Sequence, residues 1–441
     1  MLVRLWPAIP WIAIAFVLGV GASAEADKPA QSTAYEIVET PISSQQVVEL
    51  DSNDDLWAGT GDVMAKSTDG GQSFTTYKTF ALGSSFSSLW IDSNDNLYVG
   101  RSGVGKMWRG AVDGDSLTGS WVHTFACSGP CPSDSCAQLW QMAEDDSGHI
   151  YVAEYTPGTA TPKDERCAYA YKSRDGGATF PFTIYDNPDT AKHLHIIAYD
   201  AKDDVVWISQ GDGDEMNDVY YSTDYGASWS KPWNTANNTQ PISWAWMPRG
   251  RGMVTGDEYQ PDYIGTNSGT MLFGSDIGGG AANKVSRIAY SYIDLGDPIG
   301  EVWSARGHAE AEVEFTNGDA NNGYVWVMGS TQPDTMAICG TVAISDANSA
   351  GLYLREASGA GDFDETGTAW TRLKIVAGAS TGNAWDGVYD MTRFGADGYA
   401  YYVAQGDTTY TMRFTVQAKE VTDTSRPQSA GRTNDRRRRV R

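Results

Sequence analysis

Positive charge is scarce in this chain: 32 Lys and Arg stand against 56 Asp and Glu, a formal charge of −24. That balance argues against nucleic acid as a partner, because phosphate repulsion would have to be overcome on every approach. Long apolar runs are missing after the first two dozen residues, so no later segment approaches a membrane-spanning length. Cysteine is limited to five, an odd number that in an exported chain leaves one thiol over after disulfides form. Paired Cys-x-x-Cys knuckles are absent, which favours disulfides over a zinc cluster among Cys127, Cys131, Cys136 and Cys167. What the chain does have is 48 glycines and 12% aromatics with only 20% charged residues. Such a composition describes a folded, turn-rich β-protein rather than a disordered one.

The two ends differ from the middle. Residues 1–24 read as a signal peptide, with Arg4 in the basic region, an apolar stretch through Leu18 and Ala22-Ser-Ala24 as the cleavage site. Export is expected, to the outside or to the cell envelope. Residues 25–34 form a linker and 421–441 a disordered basic tail, where from Arg426 onward seven arginines face one aspartate. An exported chain would keep such a tail solvated, in reach of acidic envelope polymers.

One short pattern occurs three times: Ser67-Thr-Asp-Gly-Gly-Gln-Ser-Phe74, Ser173-Arg-Asp-Gly-Gly-Ala-Thr-Phe180 and Ser222-Thr-Asp-Tyr-Gly-Ala-Ser-Trp229. The turn chemistry explains the residues. Asp accepts backbone N–H bonds, Gly takes φ > 0, and the closing aromatic pins the hairpin to the sheet beneath. The pattern resembles the Asp-box, or BNR, repeat of sialidase-like β-propellers. The resemblance covers residues 35–416 and implies a propeller in which Asp69, Asp175 and Asp224 are structural. Sialidase activity is not implied, because the early Arg-Ile-Pro motif of a sialidase is absent. Arg101, Arg166 and Arg306 are the arginines available for an arginine clamp.

Between the boxes, strand-like runs recur with period-2 alternation and β-branched or aromatic enrichment. Trp90, Trp140, His195 and Trp246 follow one another at 50, 55 and 51 residues, a propeller-blade interval. First strands beginning near Val47, Ser88, Gln138, His193, Ser243, His308 and Trp385 predict a seven-bladed propeller over residues 35–420, with six or eight blades as alternatives. An insertion between about Ile338 and Ala369 is expected to swell the sixth blade. Tyr35 to Glu39 is a spare strand expected to close the ring against residues 410–416, covering exposed sheet edges.

Propeller topology sorts polar residues by face. The Asp boxes and the turns between first and second strands share one side, and the opposite side is where propellers bind. On that upper side fall Arg101, Glu154, Tyr155, His193, His195, Asp212, Asp257, Arg306 and His308. Two residues apart on a strand, His193 and His195 are expected to project together, able to ligate a metal, move a proton or neutralise a carboxylate, or else to be hydrogen-bonded in a wet channel. Asp212, in Gly211-Asp-Gly-Asp-Glu215, reads as a calcium loop or as an acidic turn. Trp90, Trp140 and Trp246 read as sugar-stacking platforms or as core packing. His123 and His149 are expected to face solvent. The same topology favours a Cys136–Cys167 bridge and a Cys127–Cys131 bridge, with Cys339 free.

Two functional classes follow. The first is a monomeric, secreted, glycan-degrading enzyme at the mouth of the central channel. Hydrolysis would use a carboxylate pair, whereas a uronate lyase would use His193, His195, Tyr155 and Arg306. The second is a non-catalytic propeller that binds glycan or protein. Any cofactor would be a divalent metal, calcium or zinc. Fold alone does not choose between the classes.

Overall fold

The computed structural model describes residues 32–80, 85–101, 104–125, 138–155, 169–186, 193–200, 204–211, 218–230, 248–255, 269–277, 287–293, 312–316, 323–330, 336–343, 351–356, 371–375, 386–405 and 409–419. They form 27 strands. After β1 (Tyr35–Ile42), the first sheet is β2 (Val47–Leu50), β3 (Leu56–Thr60), β4 (Val63–Ser67) and β5 (Thr75–Thr79). The second is β6 (Phe86–Ile91), β7 (Leu97–Arg101), β8 (Lys106–Asp113) and β9 (Ser116–Thr124). The third is β10 (Gln138–Glu144), β11 (Ile150–Tyr155), β12 (Tyr169–Ser173) and β13 (Phe182–Asp186). The fourth is β14 (His193–Asp200), β15 (Val205–Gly211) and β16 (Asp218–Ser222).

A fifth, twelve-stranded sheet holds the rest. Its strands are β17 (Pro248–Thr255), β18 (Gly269–Ile277), β19 (Arg287–Ile293), β20 (Glu312–Thr316), β21 (Gly323–Ser330), β22 (Met336–Ala343), β23 (Gly351–Glu356), β24 (Thr371–Ile375), β25 (Asp386–Met391), β26 (Ala400–Gln405), β27 (Thr409–Ala418) and β1. The expectation of seven blades is thereby corrected to five sheets. The physical reason is two short ladders, Asp276↔Tyr324 with Ile277↔Gly323 and Val342↔Gly387 with Ala343↔Asp386, that fuse successive meanders edge to edge. Within the stretch expected as an insertion, about Ile338 to Ala369, the described residues are strands of this sheet, β22 pairing with β23 and β23 with β24. The closing strand is where the sequence put it. β1 runs antiparallel to β27, with Tyr35 opposite Ala418 and Ile42 opposite Thr411.

Alternate residues of each inner strand enter different cores. Val47 and Trp57 join Phe86, Leu97 and Val99 between the first and second sheets, while Val48, Leu56 and Ala58 join Tyr401 and Val403 of the last meander. Tyr98 and Met107 pack with Met142 and Val152 between the second and third sheets, and Tyr151 and Ala153 with Leu194 and Ile208 between the third and fourth. Both faces of these sheets are therefore buried, the radial packing of a β-propeller. That is why their central strands read as unbroken apolar runs.

Carboxylates fix the turns at one end. In each Asp box the Ser67, Ser173 or Ser222 hydroxyl donates to Asp69, Asp175 or Asp224 at 2.7–2.8 Å, and the carboxylate also accepts from the backbone and hydroxyl of Ser73, Thr179 or Ser228. Hydrogen bonds from Ser73 and Ser67 hold the Asp69 carboxyl down at about 2. A second carboxylate motif lies between the first two strands and was not foreseen. Asp51, Asp92 and Asp145 each accept two turn N–H groups and then the ring group of the aromatic six residues on: Trp57 Nε1 at 3.0 Å, Tyr98 Oη at 3.0 Å and Tyr151 Oη at 2.6 Å. A cation from the third strand covers the same ring in all three, Lys66, Arg109 and Lys172 respectively.

The box also docks on its neighbour. Gly177 has φ +79 and an added Cβ would lie 1.8 Å from Tyr98 Oη, whereas Gly176, at φ +63, has open space. Gly176→Ala is therefore expected to cost only the left-handed backbone penalty, about 1–2 kcal/mol. Gly177→Ala should cost at least about 2 kcal/mol more, because Tyr98 must leave Asp92. Urea denaturation of the two variants measures the difference, and equal losses would show that the box does not bear on the second sheet.

Candidate functional site

The end of each sheet opposite the boxes is where first strands begin and second strands finish. There Phe86 pairs with Arg101, Gln138 with Tyr155, Leu139 with Glu154, and His193 with Gly211. Arg101, Glu154, Tyr155 and His193 thus come to the same end of three successive sheets. Asp212, Trp246, Asp257, Arg306 and His308 lie outside the described residues, as do Cys127, Cys131, Cys136 and Cys167. Of Trp140, His193 and His195 the backbone alone is described.

The ladder between first and second strands slips by one residue at the same place in five meanders: between Phe86 and Ser88, Leu139 and Gln141, Leu194 and Ile196, Val325 and Val327, and Val388 and Asp390. The inserted residues are Ser87, Trp140, His195, Trp326 and Tyr389. Bulges locally re-aim the chain and are common beside functional sites. Trp140 and His195 were singled out by their spacing, but Ser87 and Tyr389 were missed because they share no residue type. The slip also interrupts the two-residue alternation between His193 and His195. Trp90, the expected counterpart of Trp140, instead pairs with Tyr98 and rests half-buried on its ring at 5.3 Å.

Just beneath this end lies a belt of buried polar groups. Arg101 is 0% exposed, with Nη2 2.8 Å from Asp62 Oδ1 of the first sheet and its guanidinium 5.2 and 4.7 Å from the Phe80 and Phe86 rings. Glu154 is equally buried and accepts a 2.5 Å hydrogen bond from Tyr171 Oη. Gln210, at the corresponding place in the fourth sheet, accepts from Tyr185 Oη of the third at 2.5 Å. Arg101 and Gln210 each tie one sheet to the one before it. Gln210 was legible only as a polar residue at the end of a second strand, and Tyr171 and Tyr185, in the third and fourth strands of the third sheet, carried no signal of their role. His123 does not face solvent as expected. Its ring packs on Tyr171, Phe125 and Phe180 at 4.3–5.7 Å, and burial pushes the imidazole down to about 4, leaving it neutral. His149 is held by Asp145, 2.8 Å from Nδ1.

Among the described residues, no group of three or more His, Cys, Asp or Glu could hold a metal ion. No helix there is long and apolar enough to cross a membrane.

No family model and no curated protein matches the chain. Solved structures do. The chain is similar to the extracellular domain of a hybrid two component system from B. thetaiotaomicron, at 10% identity and TM-score 0.50 over 85% of this chain and 39% of that one. It is similar to virginiamycin B lyase from Staphylococcus aureus, in a catalytically inactive form with quinupristin, at 10% identity and TM-score 0.50 over 86% and 99% of the two chains. It is likewise similar to the RRP9 WD40 repeats, at 9% identity and TM-score 0.50 over 89% and 100%. The chain spans about two fifths of the length of the two component relative. These likenesses show the fold: the protein is a β-propeller.

Glu154→Ala removes the acceptor for a buried tyrosine hydroxyl and is expected to cost about 1–3 kcal/mol, whereas Glu154→Gln keeps an acceptor and should cost less than about 1 kcal/mol. Urea midpoints of the two variants check this. Equal losses would mean that the charge of Glu154, not its acceptor role, is what the belt requires.

Proposed function

We propose that the chain is an exported, carbohydrate-directed β-propeller, with an Asp-box scaffold of the sialidase-like kind and its ligand site at the mouth of the central channel. One observation supports it above others. Residue types suited to glycan binding, Arg101, Glu154, Tyr155, Trp140, His193 and His195, share one end of three successive sheets, and Trp140 and His195 share the bulged position. In the enzymatic form of this reading, His193, His195, Tyr155 and Arg306 would neutralise a uronate and take its C5 proton, or a carboxylate pair including Asp257 would cleave a glycosidic bond. Asp212 and Trp246 would line the same mouth.

The burial of Arg101 and Glu154 favours the second reading, a recognition propeller without catalysis. Both charges are occupied between strands and would have to leave their partners to reach a substrate. Incubation with a glycan panel, following reducing ends and the absorbance of unsaturated uronates, separates the readings. New products identify an enzyme, retention without turnover a recognition module, and neither contradicts the proposal. Within a positive result, His195→Ala is expected to weaken binding at least tenfold, about 1.4 kcal/mol, with little change in melting temperature. Asp175→Ala should lower the melting temperature and leave affinity per folded molecule unchanged. The reverse pattern would put the ligand at the Asp-box end.

A further inference from the structure

The one-residue slips at the end opposite the boxes have regular surroundings on both sides. In three units the residue that precedes the slip sits where the meander before it has a glycine. A Cβ on Gly59 would lie 2.8 Å from Phe86 Cδ2, one on Gly100 2.8 Å from Leu139 Cβ, and one on Gly340 2.6 Å from Val388 Cβ. These glycines belong to the second strands β3, β7 and β22. Each of the three bulges is thus seated in a hole left open by a missing side chain.

On the other side, the residue that follows the inserted one is Ser88, Gln141, Ile196, Val327 or Asp390. The three polar ones all reach a first strand of a neighbouring unit. Ser88 Oγ donates to Leu139 O at 3.0 Å, Gln141 Oε1 accepts from Ile197 N at 3.3 Å, and Asp390 Oδ2 accepts from Val48 N at 3.0 Å. β10, β14 and β2 are end strands of their sheets, and an end strand carries backbone groups that no ladder pairs. A polar side chain at this one position supplies a partner across the junction. Gln141 makes its tie between the two bulges that insert Trp140 and His195. It directly follows Trp140, and Ile197 comes two residues after His195. Ile197 is 0% exposed, so water does not replace Gln141 there.

We propose that Gln141 is a positioning residue of the candidate site: it locks the bulge of β10 to β14, so that the Trp140 and His195 positions are held at one separation and move as a unit. That the pair meets a ligand rests on the function proposed above, whereas the lock does not. Leu139, seated on Gly100, fixes the same bulge from the second sheet, which leaves the tie to β14 as the connection that sets His195 against Trp140.

Hydrogen exchange with mass spectrometry on the whole, ligand-free chain tests the lock. Gln141→Met keeps the length of the side chain without its acceptor, and Gln141→Glu keeps an acceptor. In Gln141→Met, peptides spanning His193–Asp200 are expected to exchange about fivefold faster, while peptides of Phe86–Ile91 and Leu97–Arg101 keep their protection. Gln141→Glu should restore the original rate, and Gln141→Ala stands in where the methionine variant folds poorly. A merely structural contribution would speed exchange in all sheets together. That outcome, or unchanged exchange at His193–Asp200, overturns the lock. Against whichever glycan of the panel is retained, Gln141→Met should bind about fivefold more weakly at an unchanged melting temperature, with Gln141→Glu binding as the unaltered protein does. Unchanged affinity beside faster exchange at His193–Asp200 overturns the positioning role. If no glycan is retained while His193–Asp200 responds as expected, the carbohydrate reading fails and the lock stands.

Discussion

Burial on both faces of the first three sheets is the constraint on which the rest of the molecule depends. Val47 and Val48, adjacent in sequence, belong to two different cores, and so do Trp57 and Ala58. A sheet with two apolar faces is not stable alone, since each needs a neighbour on either side to exclude water. The packing therefore has to return on itself. β1 supplies the return: it lies beside β27 at the far end of the chain and leads directly into β2, coupling the last meander to the first sheet.

Among the described residues, several carboxylates are explained by how the turns are made. Short connections between strands leave N–H groups that need acceptors, and a carboxylate supplies several at once. Asp51, Asp92 and Asp145 do so within one turn and also anchor the aromatic of the next strand. Others reach between sheets: Asp95 accepts from Ser52, Glu144 from Ser93, and Asp54 from Ala396. The box end of the propeller thus spends its charge on structure. At the opposite end, among the described residues, Asp62 and Glu154 are likewise engaged, by Arg101 and Tyr171.

The three Asp boxes, the inner strands from Val47, Gln138 and His193, and the closing strand at Tyr35 were legible in the sequence because each carries a local signature of turn or alternation. Blade count was not, because whether Ile277 pairs with Gly323 or Val342 with Gly387 across a meander boundary depends on approach in space, which periodicity does not encode. The bulges at Ser87 and Tyr389 were invisible for a similar reason: a one-residue slip shows only in the partner strand. Burial misled in the opposite sense at Arg101 and Glu154. A charged residue at a strand end reads as exposed, yet Asp62 and Tyr171 give these two partners inside the sheet stack. The Asp51–Trp57–Lys66 arrangement could have been found, because Asp followed six residues later by Trp or Tyr recurs in three units.

The most direct test of mutual dependence among the sheets is the equilibrium urea unfolding of a chain lacking residues 1–42, followed by fluorescence of the buried Trp57 and Trp207, which lie in the first and fourth sheets. If each sheet requires both neighbours, removing residues 1–42, and with them β1, should lower the midpoint for the entire described propeller and broaden the transition. An unchanged midpoint, or a loss confined to the last meander, would contradict the account.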